Sequence, residues 1–225
     1  EGCEIKDYQY NWDVIWRSTH DLLYGLWLDV YMAFLSVIAG SIIGLFVAFA
    51  LISNKRLVKR IAQLYVTMIR NIPLMIIVLF IYFGLPDAGF VFGEVQSFVF
   101  GLTIYAGAYI AEVFRGGLIA MPKGITEAGL ALGMSGPKIN IFVKIPLLVR
   151  SVMPALSNNY ISLFKDASIA AVIAIPELTF QTRRINLETF KTIEAWSSAT
   201  VIYVITCFII AFLLRRVEKR VAIPR

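Results

Sequence analysis

The sequence predicts an all-α integral membrane protein of five transmembrane helices, with the N-terminus outside and the C-terminus in the cytoplasm. Three observations carry this expectation. Of the 225 residues, 59% are hydrophobic, and the mean hydropathy is +0.75, which belongs to the membrane class. The apolar residues fall in runs, several of them near the roughly 20 residues that a helix needs to cross a bilayer. The Lys and Arg residues collect beside those runs, so the net charge of +6 points to membrane orientation and not to nucleic acid. Cys3 and Cys207 lie far apart, the second within an apolar run. No disulfide framework, metal site or redox pair follows from them.

Taken in order, the chain opens with a polar, peripheral stretch over residues 1–10, which lacks the basic-then-apolar order of a signal peptide. Trp12, Ile15, Trp16, Leu22, Leu23 and Leu26 then recur at helical spacing among Asp13, Arg17, His20 and Asp21. This predicts an interfacial helix within an external segment of residues 1–25. His20, the single histidine, sits on its wet side. Residues 26–225 form the transmembrane domain.

The first span runs from Val30 to Asn54 without a charge. Ser36, Gly40, Gly44 and Ala48 repeat at every fourth position, a small-residue face suited to close contact with another helix of this or a partner subunit. The second span is Asn71 to Pro86, the third Val95 to Ala111, the fourth Ser151 to Pro176, and the fifth Ala195 to Leu214. The connections after spans one and three and the C-terminal tail each hold five Lys or Arg; the connection after span two holds none and that after span four three. The positive-inside rule therefore assigns the first group to the cytoplasm.

Between spans three and four lies a polar loop over about residues 112–150. Pro122 suits the first turn of a short helix through Glu127, Ala128 and Leu130. Gly133 suits the left-handed residue that ends it. Ser135 and Pro137 suit the start of a second helix. Two short helices joined by a sharp turn make a docking element and not a core. Glu112 and Arg115, one turn apart, form a helix-end ion pair or a gate. In span four, Lys165 and Asp166 interrupt the apolar run, and Asn158, Ser162 and Asp166 make a polar stripe at helical spacing. Charges inside a span face protein or a water-filled path. Two readings fit: interhelical hydrogen bonding with local charge balance, or a wall of a translocation path. Glu177, Arg183, Arg184 and Glu188 read as solvated loop charges, or as a docking patch on the outer side.

Glu127-Ala128, Gly133, Val143, Ile145 and Pro146 resemble the cytoplasmic loop of ABC importer permeases, patterned E-A-A-x3-G-x9-I-x-L-P. Gly129 departs from the third motif residue, and Val143 and Ile145 replace Ile and Leu. Arg70-Asn71-Ile72-Pro73-Leu74 is similar to the Arg-x-x-Pro-Leu signature of the polar amino acid permeases (the histidine/glutamine/arginine type). Ala108 to Glu112, Arg115-Gly116-Gly117, Pro122-Lys123-Gly124, Lys165 to Ile169 and Ile175 to Leu178 resemble further segments of that family. Ala167, and Ile125-Thr126 ahead of the acidic residue, depart from it. The resemblance covers about Trp12 to Arg216.

The resemblance implies a permease subunit of an ATP-driven, binding-protein-dependent importer of polar amino acids in the bacterial cytoplasmic membrane. Its loop residues Glu127, Ala128, Gly129, Gly133 and Pro146 would couple to an ATPase. Arg70, Pro73, Glu112 and Arg115 are family-motif residues, and Asn158, Ser162, Lys165 and Asp166 candidates for the path. The implied partners are a second permease subunit, identical or paralogous, two ATP-binding subunits that hold ATP and Mg, and an external or periplasmic solute-binding protein. The chain itself carries no phosphate-binding G-x-x-x-x-G-K-[ST] loop, so no cofactor is expected on it and it is not expected to be an enzyme. An ion-gradient-driven secondary amino acid transporter is the alternative; the absence of a visible internal repeat speaks against it.

Overall fold

A computed structural model describes residues 8–221; the N-terminal residues that include Cys3, and the last basic residue of the tail, Arg225, lie outside them. Among the described residues the chain is helical throughout. It holds α1 (Asp13–Arg17), α2 (Thr19–Leu51), α3 (Arg56–Asn71), α4 (Leu74–Leu79), α5 (Glu94–Ala120), α6 (Gly124–Ala131), α7 (Gly136–Ile139), α8 (Ile145–Asp166), α9 (Leu178–Thr189) and α10 (Thr192–Val221). Short π turns follow α4 (Phe80–Gly84) and precede α8 (Asn140–Lys144), and a 3-10 segment (Ala167–Ile173) follows α8. Four helical stretches are long and apolar enough to cross a membrane, or up to five when the bent pair Arg56–Asn71 and Leu74–Gly84 is counted as one.

The centre is the pairing of α2 with α5, and small residues set its distance. A Cβ on Gly40 would stand 2.7 Å from Ala106 Cβ, and one on Gly44 3.0 Å from the Ala111 backbone nitrogen. Ser36 and Ala48 are buried on the same face, and Ser36 Oγ donates to Val99 O. The small-residue stripe of the first span is therefore consumed inside the subunit. Phe98, Leu102, Ile110 and Phe114 of α5 complete the main core with Met32 of α2 and Leu148 and Leu156 of α8.

The elements differ from the sequence expectation in three places. First, the interfacial stretch is not one separate helix: a break at Ser18 leaves α1, and α2 continues through residues 25 and 26 unbroken. Leu22 packs with Leu178, Ile185 and Ala195, and Gly25 lies so close to α9 that a Cβ would meet Glu177 C at 2.7 Å. These contacts draw the stretch into the bundle.

Second, the basic connection after the first span is a helix, α3. It packs Ala62 and Val66 on Leu51 and Ala111, and Tyr65 donates to Ile104 O at 2.7 Å. The chain then turns by 103° into α4, because Ile72 and Pro73 are extended and proline supplies no N–H to continue a helix. Leu74–Gly84 reaches only ~16 Å at 1.5 Å per residue. Together α3 and α4 follow α5 along its length, α3 beside Ile104 to Ile119 and α4 beside Gly101.

Third, α5 runs on to Ala120, well past the expected end of its span. Gly117 is the reason, since a Cβ there would meet Val152 Cγ1 at 2.3 Å and Leu148 Cδ1 at 2.6 Å. This close crossing extends both α5 and α8 into the region read as loop. The fourth helix accordingly begins at Gly136, and the non-helical part of the loop shrinks to two short connections around α6.

Candidate functional site

The α6–α7 elbow is closed by backbone hydrogen bonds that its sequence dictates. Gly133 has φ +74°, the left-handed region that an L side chain rarely enters. Its N–H donates to Leu130 O at 2.9 Å and the Met134 N–H to Gly129 O at 3.0 Å. This pair of bonds is the Schellman closure of a helix C-terminus. Ser135 stands before α7 in extended conformation and Pro137 lies in its first turn, though the Ser135 side chain makes no capping bond. Pro146 likewise lies in the first turn of α8.

Gly129 has a role that its helix propensity conceals. It is buried, and a Cβ there would stand 2.8 Å from Ile139 Cγ1 and 2.9 Å from its Cδ1. Ile139 is 1% exposed. The departure from alanine at this position therefore makes room for α7 to fold onto α6. Glu127 and Ala128 point away from this contact and are exposed. Leu130 and Leu132 are exposed beside them, Leu132 at 81%. The elbow thus exposes a carboxylate, a small residue and two leucines side by side.

A polar trough runs along α3 and α5. One part, about 360 Å³, is lined by Thr67, Arg70, Asn71, Tyr109 and Glu112. A neighbouring part, about 560 Å³, is lined by Lys59, Gln63, Thr67, Glu112 and Arg115. The Arg70 guanidinium stacks over the Tyr109 ring at 5.1 Å, a cation–π arrangement. Arg115 Nη2 pairs with Glu112 Oε2 at 2.7 Å, within one helix turn as the spacing predicted. Pro73 sits at the bend that ends α3 and so fixes where Arg70 and Asn71 project.

In α8, Asn158 and Ser162 are exposed, Lys165 is exposed and Asp166 is half-buried. The stripe thus lies on the surface of the single chain. Lys165 and Asp166 diverge. Lys165 lines a groove with Ile161, Tyr203 and Cys207 that does not include Asp166. Tyr105 and Tyr109, at i and i+4 with ring centroids 4.6 Å apart, were not singled out from sequence. Two tyrosines one turn apart among Ala106, Gly107 and Ala108 are the signal that could have found them.

The expected solvated loop charges belong instead to helix α9 and its cap, and two of them, Glu177 and Arg184, are engaged with the bundle. Glu177 is fully buried. It caps α9, accepting from Thr179 N at 2.7 Å and Phe180 N at 2.8 Å. Burial raises its carboxyl pKa, while those two N–H donors pull it back down. Arg184 pairs with Asp21 of α2 and lies 3.7 Å from Glu188, so it fastens two helices, and Arg183 remains exposed.

Residues 40–223 match the family model described as "Binding-protein-dependent transport system inner membrane component". The chain belongs to this family. This permease is 36% identical over 220 residues to the glutamine transport system permease protein GlnP of Escherichia coli (strain K12), covering 96% of the chain and 99% of the relative. It is 32% identical to the L-cystine transport system permease protein TcyB of Bacillus subtilis (strain 168), over 93% and 90% of the two chains. Among solved structures it superposes on a crystal structure of an amino acid ABC transporter with histidines, with TM-score 0.84, 30% identity and coverage of 95% and 100%. An inward-facing MetNI methionine ABC transporter shares the fold, with TM-score 0.79 and 24% identity, over 92% of the permease and 99% of that chain. The permease is a multi-pass protein of the inner membrane.

Proposed function

We propose that the chain is one of two membrane subunits of an ATP-driven importer for polar amino acids, fed by an external or periplasmic solute-binding protein. The second subunit is a copy or a paralogue, and two separate ATP-binding subunits hold ATP and Mg. The observation that carries this reading is the α6–α7 elbow, which presents Glu127, Ala128, Leu130 and Leu132 to a partner on a backbone locked by Gly133. The bent pair α3–α4 counts as the second of five spans, because it tracks α5 along its length. With the basic connections inside, the N-terminus is outside and the elbow faces the ATPase in the cytoplasm.

Amino acid substrates are what the names of the relatives and of the superposed transporter share, and the polar trough supports them. An amino acid carries a carboxylate and an ammonium. Arg70, stacked over the Tyr109 ring, offers a cation to the first, and Asp166 of α8 offers an anion to the second. The exposed stripe of Asn158, Ser162 and Asp166 supports a path lined jointly with the second permease, since polar groups in a span seek protein or water and not lipid. Lys165 adds an exposed charge to the neighbouring face of the same helix, toward α10. Glu112 and Arg115 pair within α5 at the cytoplasmic end of the trough.

Co-purification tests the reading. The permease expressed with its ATPase should yield a complex of two permease chains and two ATPase chains, released by substitutions in α6. A stable, transport-competent complex holding one permease chain would overturn it.

A further inference from the structure

A second polar cluster, remote from the trough and the elbow, joins α2, α9 and α10. Asp29 of α2 and Glu177 at the start of α9 are both fully buried. The Tyr203 hydroxyl of α10 lies 3.0 Å from Asp29 Oδ2, 3.2 Å from Glu177 Oε2 and 3.0 Å from Thr179 Oγ1. One oxygen of each carboxyl group therefore meets the same hydroxyl. Gly25, one turn before Asp29, allows this by letting the α2 backbone touch that of Glu177 and Leu178.

The hydrogens of this cluster can be counted. Glu177 receives the N–H of Thr179 on Oε2 and that of Phe180 on Oε1, which suits an ionised carboxylate at a helix N-terminus. Tyr203 and Thr179 bring one hydroxyl hydrogen each. Asp29 lies beside the Leu178 N–H, yet its Oδ1 is buried without a hydrogen-bond partner among the described residues. With both carboxyls ionised, two negative charges would face each other in a buried site with a single hydroxyl hydrogen between them, a state that costs roughly several kcal/mol per unpaired buried ion. Like charges so placed do not both ionise. The other charges nearby leave the count unchanged. On α2 and α9, Asp21 and Arg184 are occupied with each other, with Glu188 beside them. On α8, Lys165 lines the groove on the other side of Tyr203.

We propose that Asp29 is a resident carboxylic acid, so that Asp29, Glu177, Tyr203 and Thr179 form a proton-binding site that clasps α2 to α9 and α10. The Asp29 proton is donated to Glu177 or to the Tyr203 oxygen and supplies the missing hydrogen. The clasped state binds one proton that a solvated aspartate would release at neutral pH. Its stabilisation is therefore complete below the ordinary aspartate range, falls as pH rises through neutrality, and is gone once that proton is stripped.

Infrared spectroscopy of the assembled transporter in lipid nanodiscs tests this. At neutral pH the wild type should show a carboxylic-acid C=O band that shifts on ¹³C-aspartate labelling, persists in Asp166→Asn and disappears in Asp29→Asn. Tyr203→Phe should keep the band but move it, which serves if Asp29→Asn fails to assemble. The thermal midpoint of the wild type should fall on alkalinisation more steeply than that of Asp29→Asn, whose amide needs no proton. An absent aspartic-acid band, a band that survives Asp29→Asn, or equal alkaline slopes would overturn the proposal. So would a wild type that lacks the band and is stabilised by sodium over choline chloride, because a cation would then sit between two carboxylates.

Discussion

Gly129→Ala restores the residue that the family pattern has at this position, and the structure predicts that it harms the elbow. Alanine improves an exposed helix interior by about 1 kcal/mol over glycine. Here the new methyl would stand 2.8 Å from Ile139 Cγ1 and 2.9 Å from Cδ1, inside contact distance with a side chain that is 1% exposed. Overpacking of this kind costs about 1–3 kcal/mol, so the balance runs from neutral to about 2 kcal/mol unfavourable. The clash vanishes when Ile139 is shortened to Ala. The sign should therefore reverse in the Ile139→Ala background, giving a coupling energy of about 1–3 kcal/mol. Amide exchange at Met134, whose N–H is bonded to Gly129 O, reads the elbow directly, and stimulated ATP hydrolysis by the reconstituted complex reads its consequence. Exchange at Met134 slowed by Gly129→Ala in both backgrounds would refute the packing argument.

Three further outcomes are expected. Gly133→Val should cost about 1–3 kcal/mol from backbone conformation alone, because no atom crowds a Cβ there; insertion should persist while ATPase stimulation and uptake fall, and Gly133→Asn should be milder. Glu127→Lys should weaken ATPase pull-down more than Glu127→Gln, since it reverses a charge at an interface, and equal losses would remove electrostatics from the account. Asp166→Ala should lower uptake while assembly with the ATPase is retained, and unchanged uptake with unchanged substrate affinity would leave Asp166 a packing role only.

Local signals were legible in the sequence, and long-range pairings were not. Gly133 followed a helix-forming run, and a glycine there announces a left-handed turn. Glu112 and Arg115 stood at i and i+3, and they pair. The α3 helix went unread because its basic residues marked a connection, although Leu57, Ile61, Leu64 and Met68 carry a helical period and are exposed. Glu177 reads as a loop charge since its buried partners, Asp29 and Tyr203, are remote in sequence. Lys165 and Asp166 look like a pair on paper, yet neighbouring residues on a helix point about 100° apart at 3.6 residues per turn, and of the two only Lys165 lines the groove beside α10. The small-residue stripe of α2 left open whether its partner lay inside or outside the subunit, and only the placement of α5 answers that.

Uptake of radiolabelled amino acid into proteoliposomes holding the permease and its ATPase, with the binding protein on the substrate side and ATP on the ATPase side, tests the central claim most directly. The account predicts uptake that requires ATP, the ATPase and the binding protein together, and that ignores an imposed proton or sodium gradient. Uptake driven by such a gradient with the permease alone would contradict it.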